Sequence, residues 1–199
     1  MLHTKTFMIA LITAGCLAAP AANAGYPPPP TKCPESPKND CKDIKLKELK
    51  LVVKTEYKDE IKVKVEGKLK GLKKNEDAKV TVKVEGKAEF KCKNPNGQLP
   101  PGQQPGDVPF KLTGWQKVKA DGDGKAEFDI KTEALDTYGI CKPPPFKTVL
   151  KEIEIDTVTV IVEQKDCKVK FECPVPDPAK SGDPIWVDVE DCERSIISS

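Results

Sequence analysis

The residues able to do chemistry narrow the possibilities before any fold is considered. The chain has 199 residues; 31 are acidic and eight are cysteine, but His3 is the single histidine. Ser-His-Asp and Cys-His nucleophilic sites are therefore excluded beyond the extreme N-terminus. Gly-x-Ser-x-Gly and phosphate-cradling glycine loops are absent. Zinc sites favour His or a Cys-x-x-Cys pair. The chain past residue 24 has neither, so no metal or other cofactor is expected. Asp121-Gly122-Asp123-Gly124 opens like a calcium loop. Lys125 then takes the next ligand position and no bidentate Glu follows, so the segment reads as a tight hairpin turn. Paired carboxylates of the kind that hydrolyse glycosides can be drawn from so many acids, yet no pair stands out from the charged strand faces. Trp115 and Trp186 have the shape to stack on a sugar ring. Such residues also fill a core or anchor a tail.

The cysteines point to a compartment. Lys5 precedes an apolar run, Phe7 to Ala19, and Ala22-Asn23-Ala24 fits a small-x-small cleavage site, so residues 1–24 read as a signal peptide. The run is short for a membrane span, and no later segment is long and uncharged enough for one. Thr13-Ala14-Gly15-Cys16 resembles a lipoprotein cleavage box with Thr where Leu is usual. That alternative would lipidate Cys16 and move the protein to a membrane surface. In an exported chain the remaining cysteines default to disulfides. Cys167 and Cys173 bracket one strand-like segment about 20 Å long, too far apart to bridge each other. Cys92 and Cys141 each end a strand at a long loop and are the preferred pair. Local closure suggests Cys33–Cys41 and Cys173–Cys192. Cys167 is then left as a free thiol or an intermolecular link, so the protein is either a monomer or a disulfide-linked oligomer.

Elements able to position such residues are almost all strands. The phrase Val63-Lys64-Val65-Glu66-Gly67-Lys68 recurs as Val82-Lys83-Val84-Glu85-Gly86-Lys87, and in both apolar and charged residues alternate. The two are expected to form a hairpin through the polar turn Lys73 to Asp77, with Lys and Glu facing each other across the ladder. Further strands are expected at Ile44–Tyr57, Phe110–Ala120, Lys125–Thr132, Val149–Gln164 and Cys167–Cys173. In the long run Val149–Gln164 the apolar phase switches between Ile155 and Val158. Either a bulge lies near Thr157 or both faces are covered. Ala134 to Ile140 reads as a short helical turn. Lys93 to Pro109, rich in proline and glycine, is the irregular segment: a binding loop or a disulfide-tethered crossover between sheets. Asn94, Asn96, Gly97 and Gln103 are its candidate contact residues, with Trp115 nearby in sequence.

The segment Val80 to Cys173 resembles a group of secreted proteins of uncharacterised function, known mainly from actinomycetes. The shared features are a strand entering Cys-x-Asn-x-x-Gly and a Pro/Gly-rich loop, then a second cysteine followed closely by proline. Here these are Cys92, Asn94, Gly97, Cys141 and Pro143. The resemblance implies a β-sandwich-like secreted domain and no activity.

The expected architecture is all-β, an antiparallel β-sandwich of immunoglobulin-like or similar type. It has about seven or eight strands and is stapled by disulfides. A proline-rich arm spans residues 25–43, the sandwich 44–173 and a partly docked acidic tail 174–199. Loss of Lys5 with the leader leaves 32 basic against 31 acidic residues, spread singly along the strands, and Arg194 is the sole arginine. That pattern argues against nucleic acid as a partner. The function expected is a secreted, non-enzymatic binding protein of the envelope or effector type, its partner an extracellular protein or glycan. A structural envelope component and a carboxylate-dependent carbohydrate-active protein are the alternatives.

Overall fold

A computed structural model describes residues 40–55, 60–100, 104–141, 146–175 and 183–197. The signal-peptide segment, Cys33 and Gln103 lie outside them. Among the described residues a 3₁₀ turn at Asp40–Asp43 leads into nine strands: β1 Lys45–Thr55, β2 Ile61–Lys70, β3 Asp77–Lys93, β4 Val108–Lys119, β5 Lys125–Lys131, β6 Lys147–Gln164, β7 Cys167–Pro174, β8 Pro184–Trp186 and β9 Glu193–Ile196. They form two antiparallel sheets, ordered β5-β2-β1-β8 and β4-β3-β6-β7-β9. The fold is a disulfide-stapled β-sandwich. Period-two alternation sends one apolar set from each sheet inward, and the two sets make a single core around Leu51, Val63, Val65, Val82, Val84 and Val160.

The repeated phrase does not make a hairpin. Strand β2 is interior to the four-stranded sheet and β3 is interior to the five-stranded one. The two copies belong to different sheets, and the connector explains why. Leu72 is buried in the core, its N–H donating to Gly124 O at 3.0 Å. Lys73 N–H donates to the buried Gln164 side chain at 2.7 Å. A connector whose own side chain enters the core carries the chain from one layer to the next. Gly71 permits the bend: its φ is +82°, and an added Cβ would sit 1.8 Å from Asp43 O.

The turn at Asp121 also changes sheets, placing β4 and β5 in different layers where a hairpin was expected. Asp121 Oδ1 accepts the N–H groups of Asp123 at 2.9 Å and Lys125 at 2.8 Å. Those bonds hold its carboxyl below the usual carboxylate range, the Lys125 N–H contributing most. Lys93 to Pro109, by contrast, joins two strands that pair with each other, so it is not a crossover between sheets.

Two register shifts interrupt β3–β6, at Glu85/Gly86 and at Glu89/Phe90. The first makes Asp156 an extra residue and moves the inward phase from Ile155 to Val158, the bulge alternative for this strand. No helical turn forms at Ala134–Ile140. Instead Leu135 bridges to Ile61 and buries its side chain, extending β5 along β2.

Disulfides join Cys92–Cys141, Cys173–Cys192 and Cys41–Cys167. The expected Cys33–Cys41 pair is thus replaced, and Cys167 is not left over. The reason is packing, since the turn holding Cys41 lies against the start of β7. Arg194 fixes that turn, its guanidinium donating to Ile44 O at 3.1 Å and to Cys41 O. Two short strands of the acidic tail join the sandwich: β8 extends one sheet beside β1, and β9 the other beside β7.

Candidate functional site

The outer face of the four-stranded sheet carries ordered rows of side chains. Antiparallel register puts Trp186 opposite Lys50, Lys50 opposite Glu66, and Glu66 opposite Asp129. One step along, Glu48 faces Lys68 and Lys68 faces Glu127. Residues directly opposite share a face, so these two rows lie side by side. Between them and Trp186 runs a groove of about 310 Å³.

Its charged groups are fixed by one another. Lys50 Nζ lies 3.1 Å from Glu66 Oε2, Lys64 Nζ 2.8 Å from Asp129 Oδ2, and Lys68 Nζ 2.9 Å from Glu48 Oε2. Lys64 also bonds Glu66. Hydrogen bonds from Lys64 and then Lys50 hold the Glu66 carboxyl low, while Asp129 and then Glu66 raise the Lys64 ammonium. Such exposed pairs add little to stability. Their consequence here is a set of donors and acceptors held in one arrangement. At the β5 border, Asp129 N–H donates to Gln116 Oε1 at 2.9 Å, so that edge amide is satisfied.

Trp186 owes its position to alternation within a short edge strand. Ile185 and Val187 on either side turn toward the core, and Val187 N–H donates to Leu49 O at 3.0 Å. The indole is thereby turned outward. It is 64% exposed, with Lys50 Nζ 5.6 Å from its ring centroid. Trp186 therefore does not anchor the tail; its two neighbours do. Cys173–Cys192 ties the same segment to β7.

The residues expected from sequence are not brought together. Trp115 is exposed, but on the outer face of the five-stranded sheet, opposite Thr81 and 5.6 Å from Lys79 Nζ. Seven residues of β4, roughly 23 Å of strand, separate it from Val108, where the loop ends. In the loop, Asn94 Oδ1 accepts Gln98 N–H at 2.8 Å and Asn94 O accepts Gly97 N–H at 2.8 Å. Gln104 accepts Cys92 N–H at 3.2 Å. Asn94 and Gln104 are thus engaged within the loop, and Cys92–Cys141 pins its base. Asn96 and Gly97 are exposed.

Reading the sequence missed Lys50, Glu66 and Asp129 as a row, because register across β1, β2 and β5 is not visible in one strand. Trp186 had a usable signal, the alternation Ile185-Trp186-Val187. Glu66, like Asp77, Glu85, Asp121 and Glu163 elsewhere, is shifted downward, whereas a general acid needs the opposite shift.

No family model, curated protein or solved structure matches this chain, so the comparisons bear on neither its function nor the resemblance of its Val80–Cys173 segment.

Proposed function

We propose that the protein is exported and binds a carbohydrate chain, without transforming it, on the outer face of the four-stranded sheet. The observation carrying this reading is Trp186, an exposed indole at the rim of a groove whose donors and acceptors are fixed by ion pairs. A flat aromatic face beside fixed polar groups suits a sugar ring, which offers C–H groups on one face and hydroxyls at its rim. Export is supported by the leader-like N-terminus and by three disulfides, which persist in oxidising compartments. Among the described residues no helix is long and apolar enough to cross a membrane.

The test is a glycan array followed by titration calorimetry on the full exported chain. Trp186→Ala should weaken binding at least about fivefold, while Trp115→Ala, on the other sheet, should leave it unchanged. An array blank for every glycan, or full binding by Trp186→Ala, removes the reading.

A further inference from the structure

Charge along the four-stranded sheet does not alternate everywhere. One step beyond the row Glu48–Lys68–Glu127, Lys45 faces Lys70 and Lys70 faces Lys125. Three like charges directly opposite one another disfavour the sheet that holds them. Other facing lysines are relieved by carboxylates. Lys64, opposite Lys131, holds Glu66 and Asp129; Lys62, opposite Lys54, holds Glu60. Among the described residues, Lys125 alone of the triple row has such a partner, Asp123 at 3.3 Å. Lys70 and Lys125 line a hollow of about 420 Å³, and Lys47 and Lys119 add two more ammonium groups around it. Two carboxylates also line it: Asp121, whose Oδ1 accepts the turn's own N–H groups, and Glu127, which lies opposite Lys68.

This hollow adjoins the groove beside Trp186: Lys68 and Glu127 line both. From the row of Trp186 to the row of Lys70 is four residues of β2, about 13 Å. The span suits an oligosaccharide rather than one sugar.

We propose that the ligand is an acidic polysaccharide, one of whose rings packs on Trp186 while its anionic groups meet Lys47, Lys70 and Lys119. The proposal rests on the carbohydrate-binding reading above and names the chemical class of its ligand. Nucleic acid is disfavoured because the sole arginine, Arg194, is engaged with Ile44 O and Cys41 O. Carboxylated and sulfated chains share the chemistry that the lysines recognise.

Titration calorimetry at low and high salt would use four probes: an oligogalacturonide, a heparin oligosaccharide, a neutral cello-oligosaccharide and a single-stranded DNA oligonucleotide. At least one acidic glycan should bind about tenfold tighter than the neutral chain, an advantage that salt removes. Whichever acidic glycan wins identifies the anionic group. The triple variant Lys47→Gln/Lys70→Gln/Lys119→Gln, checked for fold by near-UV circular dichroism, should erase that advantage. It should leave neutral binding intact, whereas Trp186→Ala weakens both. Equal binding of neutral and acidic glycans overturns the inference and leaves the carbohydrate reading standing. DNA binding as tight as the acidic glycan, or an unaffected triple variant, also overturns it. Binding of no glycan defeats the underlying reading itself.

Discussion

At the scale of single residues, the sole arginine shows how an unusual residue finds a structural use. Arg194 reaches from β9 to two backbone carbonyls beside Cys41, and a planar fork of donors can serve both at once. Arg194→Ala should therefore cost about 1–2 kcal/mol, read as a lower midpoint in urea at unchanged slope. Arg194→Lys should recover only part of it. The paired carboxylates make a different prediction. Glu66 is held low by Lys64 on its own strand and then by Lys50, and Glu85 and Glu163 by the facing Lys111 and Lys168. Their contribution is complete above the unfolded Glu value, about pH 4.3, and fades as the pH falls through the lower folded values. Lys64, Lys68 and Lys151 are raised by carboxylates, so their contribution is complete below the unfolded Lys value, about pH 10.4, and fades as the pH rises through the folded ones. Thermal midpoints against pH should show a plateau with shallow falls at both ends. Glu66→Gln should flatten part of the acid fall. A midpoint still rising below pH 4 would contradict the pairing.

At the scale of elements, the two copies of the repeated phrase diverge at their glycines. Gly67 lies opposite Phe128, and a Cβ there would stand 2.3 Å from Phe128 Cζ. The ring covers the space that a side chain would fill. Gly67→Val should thus overpack the sheet by about 1–3 kcal/mol. Adding Phe128→Leu should cost less than the sum of the two single changes, a coupling that a double-mutant cycle measures. Gly86 instead sits at the β6 bulge, where a Cβ would meet Glu154 O at 2.1 Å. One phrase therefore meets a ring in one sheet and a bulge in the other. The alternation that makes each strand was plain in the sequence. The neighbour that makes each glycine necessary was not, because it comes from a segment some 60 to 70 residues away.

At the scale of the molecule, the disulfides tie distant segments together. Cys41–Cys167 closes a separation of 126 residues, Cys92–Cys141 one of 49, and Cys173–Cys192 one of 19. In the chain-entropy account, their loss as paired Cys→Ser variants should cost about 5, 4 and 3 kcal/mol respectively. Denaturant melts of the three variants check that order. Cys173–Cys192 has a further role, because it fastens the segment carrying β8. Its loss should weaken any ligand held at Trp186 more than its place in the stability order suggests.

What the sequence determined by itself was local: alternating strands, the positions of turns, a phase switch near Thr157 with a bulge as one of its two explanations, and the choice of Cys92–Cys141 as a pair. Each follows from a period, a turn residue or a strand end that neighbours in the chain can specify. Only the tertiary structure decided which strands share a sheet. The buried Leu72 and the turn at Asp121 move the chain between layers, and a polar connector looks much the same in either case. Only the register across β8, β1, β2 and β5 assembled Trp186, Lys50, Glu66 and Asp129 into one row. The same register set Lys45, Lys70 and Lys125 side by side. In sequence the charges balance residue by residue. In the folded sheet like charges meet because pairing joins strands that composition cannot compare.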